Sequence, residues 1–301
     1  MIIKEYAKKS EFMNKYGEVF IGLPQKGIIQ EYLNNIVFDT IDDVIEFYNY
    51  LSDNDDTVTV MVAKGPLNYN YEIYLSMANT LESIKQLLKQ GRMSDAFALI
   101  RKYNDAVILH TYTLTCYEKE ENSFFNENYS LYNNVINEWV NGRKVLIEKK
   151  KEEDKEQAYL AVIKERDKEL YRLLINNNSK HVYGKLRSIE NDNVHHNNWN
   201  AFRINDPHIR DFPISLSLLS EANEAIKLVF TIHFSYLILT KSTAMYSYDY
   251  INALEEGITP DENTRDCAAS IISEMFEKYI EKQSKELADY LCSCTALELR
   301  S

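Results

Sequence analysis

Residues 70–91 read NYEIYLSMANTLESIKQLLKQG. Ile73, Met77, Leu81, Ile84 and Leu88 recur at steps of four, four, three and four, the period of an α-helix with one apolar face. Gly91 stands where a C′ glycine ends such a helix. Ser94 starts the next periodic segment. Over 94–117, Phe97, Ile100, Val107, Thr111 and Leu114 fall on a similar face, so the spacing predicts an αα-hairpin.

Composition extends that reading to the whole chain. At 301 residues there is enough length for one large or two ordinary domains and for a core that needs no staples. Only 8 Gly and 5 Pro are present, too few for the turns of a many-stranded sandwich or barrel. The expected fold is mainly α, a helical bundle over 67–301. The 22 Tyr and 12 Phe supply a heavy aromatic payload and argue against disorder over most of the chain.

Residues 1–66 differ. They hold Gly17, Gly22, Gly27, Pro24 and Pro66, and two β-rich runs, Asn35–Thr40 (NIVFDT) and Thr57–Ala63 (TVTVMVA). Between the runs, Thr40-x-x-Asp43 resembles a capping box opening an amphipathic stretch over Ile41–Leu51. A small N-terminal α+β appendage is the expectation.

Beyond the hairpin, a further helix is expected over about 130–140, ending near Asn141-Gly142. The segment Lys144–Arg172 alternates charges and reads as a solvated face that bridges rather than packs. A long helix is expected from Pro213 through the apolar run Ile226–Thr240 to about Ala253, with Gly257 past its end. Only thirteen residues separate Lys227 from Lys241, short of a membrane span, so the run reads as a buried helix and no membrane is expected as a partner. His233, at its middle, reads as a core imidazole bonded to a neighbour. Thr259-Pro260-Asp261-Glu262 is the start signal of the last helix.

Cys116, Cys267, Cys292 and Cys294 are few and irregularly spaced, so reduced, mostly buried thiols are expected and no zinc site. The N-terminus shows no secretory signal, which makes a cytoplasmic location the expectation. Gly22-Leu-Pro-Gln-Lys-Gly27 lacks the Gly-Lys-Ser/Thr ending of a P-loop, and no Gly-x-Ser-x-Gly elbow occurs.

Chemistry is suggested by residues 180–210, which hold four of the six histidines. Five cations there face three carboxylates, net +2, so the remainder of the −12 chain carries −14. Such an island could collect one phosphate on a body that repels nucleic acid. Arg187, Asn191 and His195, spaced i, i+4, i+8, line one stripe if the segment is helical. Cleavage of RNA by its own 2′-hydroxyl needs a base, an acid and a cation for the phosphorane. His195 and Arg187 have those properties, and Asn191 could orient substrate or fix the imidazole tautomer; no cofactor or metal is required.

Written out, Arg187-Ser-Ile-Glu-Asn191-Asp-Asn-Val-His195-His196-Asn197 resembles the signature of the HEPN superfamily, helical bundles that include metal-independent RNases of toxin and phage-defence systems. The family's gap between Arg and His is shorter than the seven residues that intervene here. Arg203 and His208 have the shorter gap, although Pro207 restricts them to a first helical turn. Most of residues 70–280, including LIRKYNDAVILHTY from Leu99, is also similar to a group of uncharacterised bacterial proteins carrying Arg, Asn and His in the same register. The resemblance implies RNA as substrate, a homodimer with both motifs facing one cleft, and an antitoxin or other protein partner. Lys185, His196, Arg203 and His208 are then the substrate-binding candidates.

Three other readings stand beside it. The chain could be a catalytically silent helical scaffold that binds a protein through its Tyr-rich surface. A metal-dependent hydrolase using His195, His196, Asp192 and Glu190 lacks a His-x-x-x-His or Glu-x-x-His spacing. Arg101, Asn104 and Asp105 read as a polar network buried in the second hairpin helix, with His110 on the opposite face from Arg101.

Overall fold

The computed structural model describes residues 31–54, 69–121, 164, 166–176, 194, 212–258 and 267–300. Among these the chain is helical throughout its regular elements, apart from one isolated antiparallel bridge between Tyr246 and Ala268. The protein is a mainly α helical bundle.

Helix α1, Ile36–Asn54, overturns the strand expected over 35–40. The side-chain oxygen of Asn35 accepts the Val37 amide at 3.1 Å and so acts as the N-cap. Val37, Ile41, Val44, Tyr48 and Leu51 then recur at steps of four and three, all buried. Thr40, expected as the cap, lies inside the helix and is 1% exposed. The β-branched run was thus part of an apolar helical stripe, and burial outweighed its strand propensity. The run 57–63 and the expected boundary at residue 66 lie outside the described residues.

The hairpin forms as the spacing predicts. Helix α2, Tyr69–Lys89, buries Ile73, Met77, Leu81, Ile84 and Leu88. Helix α3, Met93–Glu121, buries Phe97, Ile100, Val107, Thr111 and Leu114. Between them Gly91 has φ 72°, its amide donates to Leu88 O at 2.8 Å, and the Arg92 amide donates to Leu87 O at 2.9 Å. This is a Schellman stop, and it needs a residue that tolerates positive φ.

Helix α4, Lys168–Tyr171, is capped by Asp167, whose side chain accepts the Leu170 amide at 2.8 Å, and continues as a π turn over Arg172–Asn176. Leu170 and Leu174 are buried, so this end of the charged segment packs rather than bridges. Helix α5, Phe212–Thr240, has Pro213 in its first turn and buries Ile226, Val229, Phe230, Phe234 and Leu237. No helix among the described residues is long and apolar enough to cross a membrane.

The long helix stops at Thr240 rather than near Ala253. A 3-10 turn over Ser242–Met245 follows, because Tyr246 pairs with Ala268 while the Ser247 and Ala269 amides donate to Cys267 O and Met245 O. Arg166 donates to Leu239 O at 3.3 Å and lies over the Tyr236 ring at 5.1 Å, giving the helix end a cation. Helix α6, Tyr248–Glu255, ends at Gly257, φ 67°. Helix α7, Ser270–Phe276, runs into a π turn over Glu277–Glu281, and α8, Lys285–Cys294, is capped by Ser284. Residues 267–269 are not helical, so no continuous helix runs to α7 from the expected start at Thr259, which lies outside the described residues. The expected helix at 130–140 lies outside them too. Cys267 is buried, Cys292 half-buried and Cys294 exposed, so the thiols are less uniformly buried than expected.

The chain divides into two compact units, one within residues 1–45, 79–103 and 184–228, the other within 46–78, 104–183 and 229–301. In the first, Tyr32 donates to Leu88 O at 2.5 Å, Lys89 lies over the Phe38 ring, and Lys85 pairs with Asp42. In the second, Phe47 meets Phe230 and Phe234 with ring centroids 5.0 and 4.8 Å apart, and Phe230 meets Tyr279 edge-on at 5.1 Å. Arg172 there pairs with Glu169 and Glu286, and Arg300 with Glu281 and Asp289.

Replacing Gly91 with Ala is expected to cost about 1 kcal/mol, because the left-handed conformation penalises a Cβ. The urea unfolding midpoint reads this directly, and Gly91→Asn is expected to lose less.

Candidate functional site

Every residue that the sequence offers for RNA chemistry, Arg187, Asn191, His195, Lys185, His196, Arg203 and His208, lies outside the described residues. Val194, adjacent to His195, is helical and 40% exposed. Of the second candidate set, Asn104 is buried at 1% exposure, whereas Arg101 is half-buried and Asp105 exposed, so these three do not make a buried network. The polar network inside the second unit is built from other residues.

It begins with His233, which the sequence places in the core and which is fully buried. Its Nδ1 lies 2.8 Å from the Tyr48 hydroxyl and its Nε2 lies 2.9 Å from Nδ1 of His110, also fully buried. Nε2 of His110 lies 3.1 Å from Oδ1 of Asn70. Four segments of the second unit, from α1, α2, α3 and α5, each give one member to this chain. The rings contact one another as well: the imidazoles meet edge-on at 5.1 Å, and Tyr74 meets His110 edge-on at 5.2 Å.

The donors and acceptors fix the protonation. An amide oxygen only accepts, so Nε2 of His110 carries its proton and Nδ1 accepts from the Nε2–H of His233. Nδ1 of His233 then accepts from the Tyr48 hydroxyl. Both rings are neutral Nε2–H tautomers, and hydrogen bonds run in one direction from Tyr48 to Asn70. Burial holds His233 at about 3, and burial, followed by the fields of His233 and Lys241, holds His110 well below the usual imidazole range.

This chain holds protons rather than moving them. A shift along it would leave a phenolate at Tyr48 and a protonated amide at Asn70, two unfavourable ends. All four ring nitrogens are engaged, so none offers a lone pair to a metal. Among the described residues no group of three or more His, Cys, Asp or Glu is placed to hold a metal ion. With both imidazoles fully buried, no substrate reaches them.

Tyr48, Asn70 and His110 were missed as site members, yet the signal was present. Tyr48 occupies the stripe of Ile41, Val44 and Leu51, and His110 that of Tyr103, Val107 and Leu114, all buried. A polar residue on an apolar stripe marks a side chain that is buried and needs a polar partner. No protein-family model, curated protein or solved structure matches the chain.

His233→Phe keeps a ring in place but removes both nitrogens, leaving the Tyr48 hydroxyl and His110 without these bonds. The expected loss is about 2–4 kcal/mol in urea unfolding. His110→Phe is expected to lose a similar amount, and the double variant less than the sum by about 1 kcal/mol or more. Additive losses would show that the two rings are not coupled.

Proposed function

We propose that the chain is a HEPN-like, metal-independent endoribonuclease of the toxin or phage-defence type, acting as a homodimer. The observation that carries this reading is the i, i+4, i+8 spacing of Arg187, Asn191 and His195 in the sequence, on a basic island of an acidic chain. Support comes from the mainly helical fold of the described residues and from the helical, exposed Val194.

In this reading His195 takes the proton of the 2′-hydroxyl, whose oxygen attacks phosphorus. The bond from phosphorus to the 5′-oxygen breaks, that oxygen receives a proton, and the products are a 2′,3′-cyclic phosphate and a 5′-hydroxyl. Arg187 forks onto the phosphate oxygens as charge builds there. Asn191 orients the substrate, and Lys185, His196, Arg203 and His208 hold the flanking strand. A second imidazole, from the other copy's motif, supplies the acid.

The catalytically silent scaffold has one observation in its favour, the exposed Tyr248 at 74% beside the stacked pair Tyr246 and Tyr250. Full-length protein incubated with RNA in EDTA separates the two. The nuclease reading expects cyclic-phosphate ends and a loss of about 10²–10⁴-fold in rate for His195→Ala. Intact RNA across structured and single-stranded substrates, or cleavage unchanged in both His195→Ala and Arg187→Ala, overturns it.

A further inference from the structure

We draw no further inference here: the strongest candidate, the aromatic surface patch on α6 where exposed Tyr248 stands beside the stacked pair Tyr246 and Tyr250, carries nothing because nothing in the structure shows what covers it.

Discussion

The second unit is organised around two imidazoles that are fully buried and bond to each other. Replacing either imidazole by an apolar group would leave one nitrogen of the other ring without this partner, at about 1–3 kcal/mol. Placing His110 and His233 2.9 Å apart solves half of that problem for each ring. Tyr48 and Asn70 solve the other half. Because the four residues sit on four different segments, satisfying the rings also fixes how those segments are rotated and where they stand along one another. Apolar packing among Phe47, Phe230, Phe234 and Tyr279 tolerates small slips; a directional chain of three bonds does not.

The ends of the helices are set by a separate and more local chemistry. Asn35, Asp167 and Ser284 accept amides in first turns, and Gly91 and Gly257 end helices with positive φ. Arg166 serves the carbonyl end of α5. These groups decide length and stopping points, whereas the buried chain decides register.

Much of this was legible. The steps in 70–91 and 94–117 foretold both hairpin helices and the glycine between them, and His233 was placed in the core with a partner. The failures share a cause. Val37 looked like part of a strand because β-branched residues favour strands, but the stripe it shares with Ile41, Val44 and Tyr48 extends further and won. The break after Thr240 could not be read, because it depends on a bridge between Tyr246 and Ala268, residues distant in sequence. Arg101 and Asp105 attracted attention as charges at helical spacing, while the buried network used neutral groups on apolar stripes. Which polar residues on different stripes meet is a tertiary fact, and a single sequence does not contain the distance between Asn70 and His110.

The nuclease reading and the buried chain concern different parts of the molecule and fail independently. The bond between the two imidazoles is the point on which the structural account turns. In uniformly ¹⁵N-labelled protein at neutral pH, a through-bond coupling across the hydrogen bond from His233 Nε2–H to His110 Nδ1 tests it most directly. The account predicts that coupling, with both rings neutral and protonated on Nε2. Its absence, with either ring proton exchanging rapidly with water, would contradict the chain and the register it imposes.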